Sequence, residues 1–465
     1  MTYFMSDIAN IVGGKPFLSV KSIIAHLLID SRKIHSPGDS LFFALTGPRR
    51  DGHQFIAELY NKGVRNFVIS KKIKTTDFSE ANFILVNDSL EALQKLTAFH
   101  RKQFNIPVIG ITGSNGKTIV KEWLYQLLQE KFNIVRSPKS YNSQIGVPLS
   151  AWQMNAHHEL AIFEAGISEP GEMEKLEKII QPTIGILTNI GEAHSGNFIN
   201  REEKLTEKLK LFAHASKVIA KGDDAWVTRP MLRAGINNFF WGRNKSSDLQ
   251  IVSIERKNLQ TEIMLRYKLE PLSFSIPFID EASIENAVTC CSFMLVAGIE
   301  RSYIQGRMQY LQAVTMRLEL IKGINHCSII NDSYSADLSS LIIALNFLVQ
   351  QSTGSKRTVI LSDFLQTGLN EKKLYEEISS LLNTHQVHKV IAIGKNIGRF
   401  LKLNDNTLYQ FYDTTEDFLQ QFRFSQFKEE TILIKGARLF GFERIVHALE
   451  QKVHQTVLEI NLNAI

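Results

Sequence analysis

The segment PVIGITGSNGKTIVKEWL, from Pro107 to Leu124, decides the fold of this chain. Its first part, Val108–Thr112, is a short β-branched run typical of a buried strand, and apolar residues recur at helical spacing from Val120 onward. The glycine-rich turn between them places the start of a helix where it can meet an anion. The segment therefore predicts a strand, a phosphate-binding turn and a helix.

The turn lacks one part of the strict phosphate-loop pattern, Gly-x-x-x-x-Gly-Lys-Ser/Thr, because Ile111 stands where the first glycine belongs. It still offers backbone N–H groups, a lysine for the β- and γ-phosphates of a nucleotide, and a hydroxyl for Mg²⁺. The alternative is an ordinary strand-to-helix turn without a ligand. Packing of the core does not require Gly-Lys-Thr at the start of a helix, which argues against this alternative. The predicted nucleotide-binding residues are Gly113, Ser114, Asn115, Gly116, Lys117 and Thr118.

Length and composition narrow the class of protein. A chain of 465 residues is too long for a single core and predicts about three domains. The net charge is only +6, and no basic block with interleaved aromatic residues marks a nucleic-acid site, so a small anionic substrate fits better. The three cysteines form neither a disulfide framework nor a metal pattern. Without an export signal or an apolar run of about 18 residues, we expect a cytosolic protein with no membrane segment.

Alternating strand-like and helical segments organise the chain into three α/β units. Residues 1–103 form a small unit with strand-like runs such as SLFFAL and NFVIS. In residues 104–321, strands such as ELAIF and IGILTNI alternate with helices, which predicts a mostly parallel sheet with ligands beyond the carboxyl ends of its strands. The same rhythm restarts in residues 322–453 with RTVILSD, KVIAIG and ETILIKG, which predicts a Rossmann-like third unit.

Polar residues at the ends of two predicted strands are candidate metal ligands. Glu164 follows LAIF, and His194 follows IGILTNIGEA. A carboxylate at the end of an apolar strand is costly unless it meets a cation, so Glu164 is a candidate Mg²⁺ ligand. The alternative for Glu164 is that it caps the next helix. A lone histidine such as His194 is more often structural than a ligand.

The sequence position of three further residues does not decide between a functional and a structural role. Lys208 lies in REEKLTEKLKLFAHA, a helix whose lysines would ordinarily form a solvated charged face. Asp332, in IINDSYSAD, follows a strand and could accept hydrogen bonds from a ribose or serve as a turn residue. Arg317, in MRLELI, could meet a phosphate with two hydrogen bonds or pair with a neighbouring acid.

The order of these motifs resembles the Mur ligases, the cytosolic ATP-dependent enzymes that build the peptide stem of peptidoglycan. The resemblance covers nearly the whole chain and rests on TGSNGKT, FEAGISEPGE, TNIGEAH, EKLKLF, IENA, MRLE and NDSYSAD. It implies a uridine-binding domain at 1–103, a central phosphate-loop ATPase domain at 104–321 and a C-terminal ligase domain at 322–453. The runs IDSRKIHSPGDSLFFALTGPRRDGH, SYNSQIGVPLS, LSDFLQTG and IKGAR are most similar to family members that add a D-alanyl-D-alanine dipeptide.

The resemblance also implies cofactors and residue roles. ATP and two Mg²⁺ ions would be bound, and Lys208 would carry a CO₂-derived carbamate, which requires a neutral amine. The implied catalytic residues are Lys117, His194 and Lys208, and the implied metal-site residues are Thr118, Glu164, His194 and Lys208. Further nucleotide contacts would be Asn286, Arg317 and Asp332, and the substrate contacts would be Ser31, Arg32, Asn142, Asp363 and Lys435.

The implied reaction joins D-alanyl-D-alanine to UDP-N-acetylmuramoyl-tripeptide with ATP. Alternatives within enzymes are a sibling ligase that adds another amino acid and a folate-polyglutamate ligase, and the N-terminal DSR…PGD…DGH run argues against the latter. From a different class, the chain could be a silent scaffold that delivers substrate to a racemase. The residues expected to act in catalysis are all present, which argues against a catalytically inactive scaffold: Lys117, Thr118, Glu164, His194 and Lys208.

Four positions depart from the family pattern. Ser283 stands where an asparagine commonly begins an Asn-x-x-Asn pair, Ser335 and Leu338 replace the Asn and Pro of an Asn-Ala-Asn-Pro run, and Gln366 replaces a glutamate. These changes bear on nucleotide contacts near Ser283 and dipeptide contacts near Gln366, while the phosphate and metal positions match the family.

The last residues, HQTVLEINLNAI at 454–465, resemble the opening of alanine racemases. This likeness predicts a ligase module of a ligase–racemase fusion, and a plain C-terminal strand is the alternative. No racemase chemistry can reside in so few residues, because they cannot form a cofactor site.

Overall fold

The segment that decides the fold adopts the predicted strand, turn and helix, at Val108–Thr112 and Lys117–Leu128. The structure, a computed structural model, describes residues 2–47, 50–191, 198, 200–257, 260–352, 354–365 and 370–451. Within that part, residues up to 311 form one unit and residues from 312 onward form another. His194, Gln366 and the predicted tail at 454–465 lie outside the described residues.

The N-terminal part of the first unit is a five-stranded sheet with helices on its faces. Its sheet order is β2-β7-β6-β5-β4, and only β2 runs antiparallel to its neighbour. The elements are β1 (Tyr3–Phe4), α1 (Met5–Val12), β2 (Lys15–Phe17), β3 (Ile23–Ile24), β4 (His26–Leu28), β5 (Ser40–Phe43), α2 (Ile56–Asn61), β6 (Asn66–Ile69), β7 (Asn82–Leu85) and α3 (Ser89–Arg101).

The central part of the first unit is a nine-stranded sheet in the order β16-β15-β14-β13-β12-β11-β8-β10-β9. Its elements are β8 (Val108–Thr112), α4 (Lys117–Leu128), β9 (Ile134–Arg136), α5 (Gly146–Ala151), β10 (Leu160–Glu164), α6 (Glu172–Ile180), β11 (Ile184–Leu187), α7 (Arg201–Leu209), β12 (Lys217–Lys221), α8 (Ala225–Arg233), β13 (Asn238–Gly242), β14 (Leu249–Lys257), β15 (Gln260–Tyr267), β16 (Glu270–Ile276), α9 (Glu281–Val296) and α10 (Arg301–Met308).

Strand β8 occupies the topological switch point of this sheet. The strands from β9 to β14 are mutually parallel, and β8 lies between β10 on one side and β11 on the other. In a doubly wound sheet, ligands bind beyond the carboxyl ends of the strands at the point where the strand order reverses. The predicted phosphate turn follows β8 at that point.

The second unit is a six-stranded sheet in the order β17-β18-β22-β19-β20-β21, parallel except for β17. Its elements are β17 (Glu319–Lys322), β18 (Ser328–Asp332), α11 (Leu338–Gln351), β19 (Lys356–Ser362), α12 (Glu371–Thr384), β20 (Lys389–Ile393), α13 (Lys395–Phe400), β21 (Leu408–Tyr412), α14 (Thr415–Gln421), β22 (Glu430–Lys435) and α15 (Glu443–Leu449).

Apolar residues cover both faces of this second sheet. Along β19, Val359 and Leu361 belong to one buried cluster and Ile360 belongs to the other. Because side chains alternate between faces along a strand, an almost continuous apolar run is what a sheet covered by helices on both sides requires. The predicted Rossmann-like character of this part follows from that pattern.

The predicted fold class, α/β with a mostly parallel central sheet, is confirmed. Each of the three large sheets lies in one predicted part of the chain, although β17 pairs with β18 and begins at Glu319, ahead of the predicted boundary at 321. The first two predicted parts pack as one unit, and the boundary at 103 stays a prediction. No helix in the described ranges is both long and apolar enough to cross a membrane.

Candidate active site

Two glycines give the phosphate turn its shape. Gly113 has φ 144° and Gly116 has φ 84°, values in the left-handed region that favours glycine. A Cβ on Gly113 would lie 2.0 Å from Thr188 Oγ1, and a Cβ on Gly116 would lie 2.5 Å from Asn286 Oδ1. Side chains at either position would collide with these neighbours. The close approach also places the predicted nucleotide contact Asn286 directly beside the turn.

The loop that follows β11 holds the phosphate turn from the side. Thr188 Oγ1 donates to the Asn115 carbonyl at 2.6 Å. The Ser114 N–H donates to the Asn189 carbonyl at 2.8 Å, and the Asn115 N–H donates to Asn189 Oδ1 at 2.9 Å. Thr188 and Asn189 are therefore positioning residues that the sequence analysis did not select, although their motif, TNIGEAH, was recognised.

Lys117 is half-buried and folds back over the turn. Its ammonium donates to the carbonyl of Gly113 at 2.7 Å and to the carbonyl of Ser114 at 3.0 Å. The first N–H groups of helix α4, which begins at this residue, have no partner within the helix. The lysine charge and these donors lie together at the helix start, which is the arrangement that binds a phosphate chain.

Lys208 is buried against the same turn. Only 3 % of Lys208 is exposed, and its Nζ donates to the Gly113 carbonyl at 3.1 Å. Burial, followed by the nearby charges of Lys117 and Lys204, holds the pKa of Lys208 well below its usual range. The alternative that Lys208 belongs to a solvated charged face is therefore wrong, since helix α7 turns this lysine toward the phosphate turn.

Glu164 and Thr118 form the second element of the site. Glu164 is fully buried at the end of β10, and Thr118 Oγ1 donates to its Oε2 at 3.1 Å. Glu164 does not cap the following helix, because the N–H groups of Gly171 and Met173 donate to Glu207 instead. A buried carboxylate beside a hydroxyl supplies the hard oxygen ligands that Mg²⁺ prefers, so these residues fit a Mg²⁺ ion.

The rest of the predicted metal site is not described. His194 lies outside the described residues, and no cluster of three or more His, Cys, Asp or Glu side chains occurs in the part of the chain that the structure describes. Among the described residues, Glu164 Oε1 forms an ion pair with Lys121 Nζ at 3.1 Å but accepts no hydrogen bond of good geometry. The metal-binding roles of Thr118, Glu164, His194 and Lys208 stay predictions.

Lys121 is a buried counter-ion of Glu164 that the sequence analysis missed. It lies one turn after Thr118 on α4, is fully buried, and its Nζ is 3.1 Å from Glu164 Oε1 and 2.9 Å from Glu122 Oε1. The same ammonium donates to the carbonyl of Ser137 at 2.7 Å and to that of Lys139. Spacing in the sequence cannot reveal these contacts, because they join a helix to a separate strand and loop.

Replacing Lys121 with methionine should lower the free energy of unfolding by about 3–5 kcal/mol, because it leaves the Glu164 carboxylate buried without its counter-ion. The double variant Lys121→Met/Glu164→Gln should recover part of that loss, since no buried charge is then uncompensated. Thermal and urea unfolding would measure both variants. Lys178→Met, at an exposed pair with Glu174, is the control, and an equal effect there would contradict the assignment.

The predicted substrate loop reaches the same edge of the central sheet. Ser140 Oγ lies 3.1 Å from Thr118 Oγ1, and the Gly166 N–H donates to the carbonyl of Asn142 at 2.8 Å. Asn142 is thus placed next to the end of β10, close to the residues that bind phosphate and metal in the prediction.

The other predicted contacts of the UDP-sugar peptide lie in the loop after β4. Ser31 is buried, whereas Arg32 is exposed and donates to both oxygens of Asp30, with Nε–Oδ1 at 2.9 Å and Nη2–Oδ2 at 2.8 Å. The Arg32 guanidinium lowers the pKa of Asp30 to about 2. Arg32 is therefore held in a fixed orientation by a charged partner.

In the second unit, two predicted residues bind each other. Lys435 Nζ is fully buried, donates to Asp332 Oδ2 at 2.6 Å and donates to the Ser335 carbonyl at 3.0 Å. Asp332 is not the residue that caps the following helix, because Asp337 accepts from the Ser340 N–H at 2.9 Å. The ion pair fixes the end of β18 against the end of β22.

Arg317 and Asp363 have different surroundings. Arg317 is half-buried, its Cζ lies 4.2 Å from the Tyr334 ring centroid, and its Nη1 donates to Ser335 Oγ at 3.4 Å. Asp363 is buried and accepts from the Ile397 N–H at 2.7 Å. That bond ties Asp363 to the start of helix α13, so its predicted contact with substrate stays a prediction.

Three of the four residues that depart from the family pattern lie in the described part of the chain, and each has identifiable local contacts or burial. The Ser283 N–H donates to Asp280 Oδ1 at 2.8 Å in the first turn of α9. Ser335 accepts the hydrogen bond from Arg317, and Leu338 is buried as the first residue of α11. Gln366 lies outside the described residues.

Comparisons with known proteins match this architecture. A family model described as the Mur ligase middle domain matches residues 111–294, and one described as the Mur ligase family, catalytic domain, matches residues 23–101. The UDP-N-acetylmuramoyl-tripeptide–D-alanyl-D-alanine ligase of Rickettsia prowazekii is 30% identical over 418 residues, covering 87% of this chain and 91% of the relative. The chain belongs to the Mur ligase family.

Solved Mur ligases share the fold of this Mur ligase. MurF from Acinetobacter baumannii superposes with a TM-score of 0.82 at 23% identity and covers 96% of this chain and 98% of that one. MurF from Thermotoga maritima, solved in complex with ADP, has a TM-score of 0.76 at 22% identity and covers 91% and 96%. The predicted resemblance to the Mur ligases is confirmed.

Proposed function

We propose that this Mur ligase joins D-alanyl-D-alanine to UDP-N-acetylmuramoyl-tripeptide and converts ATP to ADP and phosphate. The observation that carries the proposal is the phosphate turn itself. Its two glycines lie against Thr188 and Asn286, and Lys117 Nζ and Lys208 Nζ both donate to the Gly113 carbonyl. The length and identity of the match to relatives named for this reaction support the choice of substrates.

The reaction needs ATP because a carboxylate is a poor electrophile. A terminal carboxylate oxygen of the tripeptide would attack the γ-phosphorus, the bond from that phosphorus to the β–γ bridging oxygen would break, and ADP would leave. The amine of D-alanyl-D-alanine would then attack the carbonyl carbon of the acyl phosphate and lose a proton. Loss of inorganic phosphate would complete the amide bond.

The residues at the phosphate turn would position the nucleotide and offset its charge. Lys117 and the first N–H groups of α4 would contact the phosphates, and Asn286 would contact the nucleotide beside Gly116. When bound at Thr118 and Glu164, Mg²⁺ would neutralise part of the phosphate charge. Thr188 and Asn189 would keep the turn in the shape that these contacts require.

The lowered pKa of Lys208 supports the carbamate proposed for this residue. A carbamate forms when a neutral amine attacks CO₂, and burial beside other cations favours the neutral amine. The modified group would be an anion beside two other lysines, Lys117 and Lys204. Replacing the positive charge of Lys208 with the negative charge of a carbamate would turn repulsion between neighbouring cations into ion pairing.

Phosphate release with a panel of amine acceptors tests the function. With ATP, Mg²⁺, bicarbonate and UDP-N-acetylmuramoyl-tripeptide, we expect release to require D-alanyl-D-alanine and to stay near background with D-alanine, L-alanine, D-glutamate, L-lysine or diaminopimelate. Mass spectrometry would identify the pentapeptide product. Turnover that depended on a single amino acid instead would assign the chain to another branch of the family.

A further inference from the structure

A buried ammonium group balances the charge of the carboxylate that fits Mg²⁺. Lys121 Nζ lies 3.1 Å from Glu164 Oε1 and 2.9 Å from Glu122 Oε1, and it donates to the backbone carbonyls of Ser137 and Lys139. Lys121 and Glu164 are both fully buried, so solvent ions screen their attraction very little. The structure therefore gives Glu164 a fixed counter-ion.

The two oxygens of the Glu164 carboxylate have different partners. Oε2 accepts a hydrogen bond from Thr118 Oγ1 at 3.1 Å. Oε1 is buried and faces Lys121, yet among the described residues it accepts no hydrogen bond of good geometry. The Glu164 N–H donates to Ser137 Oγ at 3.2 Å, which holds the end of β10 in place. A buried oxygen without a hydrogen bond is able to coordinate a cation, but here a lysine already offsets its charge.

The second carboxylate in contact with Lys121 is also paired. Glu122 Oε2 lies 3.0 Å from Arg136 Nε, so this short network contains two cations and two carboxylates. Within the described ranges, no cluster of three or more His, Cys, Asp or Glu side chains is present to hold a free ion. Proteins usually bind Mg²⁺ through one or two carboxylates together with substrate phosphates. A free dication would therefore meet little net attraction at Glu164 until a phosphate chain is bound.

We propose that Lys121 weakens the binding of free Mg²⁺ at Glu164 and so makes the metal site depend on bound ATP. The inference rests on the proposed function, which places Mg²⁺ at Thr118 and Glu164. An ammonium group and a dication that share one carboxylate repel each other, and burial strengthens the repulsion because the local dielectric constant is low. The negative charge of a triphosphate offsets this repulsion. Linkage then requires that ATP and Mg²⁺ strengthen each other's binding.

Titration with Mn²⁺, followed by electron paramagnetic resonance of the free ion, tests the role of Lys121 without turnover. With no nucleotide and in CO₂-depleted buffer, we expect Lys121→Met to bind Mn²⁺ at least about tenfold more tightly than the unaltered chain, because the Glu164 carboxylate loses its competing cation. The double variant Lys121→Met/Glu164→Gln should return to within about twofold of the unaltered chain. Glu164→Gln alone should also stay within about twofold, and this measurement does not depend on the stability of the Lys121 variant.

Arg136→Met is the matched control, because among the described residues this arginine contacts Glu122 instead of Glu164. Its affinity for Mn²⁺ should differ from that of the unaltered chain by less than about twofold. Equal or weaker Mn²⁺ binding in Lys121→Met, as a purely structural role would give, would overturn the inference. So would a large loss of binding in Glu164→Gln, or a gain in Arg136→Met equal to that in Lys121→Met. Absence of phosphate release with the dipeptide would refute the proposed function, whereas these titrations would still decide the role of Lys121.

Discussion

Replacement of Lys117 by alanine is expected to reduce ATP turnover by at least about 1,000-fold, because the variant loses a cation at the start of α4 where phosphate charge develops. In the folded chain this ammonium already lies over the carbonyls of Gly113 and Ser114, within the turn that would hold the phosphates. Phosphate release and ADP formation would be measured with all substrates present.

Binding of the UDP-sugar peptide should survive the same change. Calorimetry with UDP-N-acetylmuramoyl-tripeptide in the absence of ATP should give a dissociation constant within about threefold of the unaltered value, since Lys117 serves the nucleotide. Lys131→Ala, at an exposed lysine just beyond the same helix, provides the control. Near-normal turnover in Lys117→Ala would remove the basis for the proposed phosphate site.

Lys208→Met should lose activity and gain stability. We expect turnover to fall by about 100-fold or more, because the group that would carry the carbamate is gone. The same change removes a buried amine whose protonation is unfavourable, so the thermal unfolding midpoint should rise by about 2–5 °C at pH 7 in CO₂-depleted buffer. Lys178→Met, at a lysine whose ion pair with Glu174 is exposed on both sides, should change neither property appreciably.

The stability gain of Lys208→Met should depend on pH in a definite direction. The folded-state pKa of Lys208 lies below its ordinary value of 10.5, so between those values the unfolded chain binds a proton that the folded chain does not. The stability of the unaltered protein relative to Lys208→Met therefore rises with pH across that window. The advantage of the variant should be greatest below the lowered pKa and shrink toward pH 10.5. A variant less stable at every pH would show that the bond to Gly113 outweighs the burial cost.

The sequence predicted the parts of the site that are local. A strand, a turn with two glycines and a helix start occupy one short segment, and the periodicity of that segment alone indicates how its backbone runs. The α/β class and the Rossmann-like third part were predictable for the same reason, since alternating elements leave few topologies.

Contacts between distant segments could not be predicted in this way. Helical composition alone favoured a charged face for Lys208, and only the family resemblance gave it a role in the site. The packing of α7 against the phosphate turn shows that it is buried. Thr188 reaches Asn115 across 73 positions of sequence, and Lys121 meets Glu164 across two separate elements. Asp363 and Lys435 were expected to face substrate, yet each has a partner that sequence spacing does not reveal.

The hydrogen bonds from Thr188 and Asn189 to the phosphate turn affect how ATP can be captured. Because these bonds hold the turn in shape within a single unit, the nucleotide need not organise a loose segment when it arrives, and little conformational entropy is lost on association. A phosphate turn that is already in its binding conformation can bind ATP before the other substrates are present.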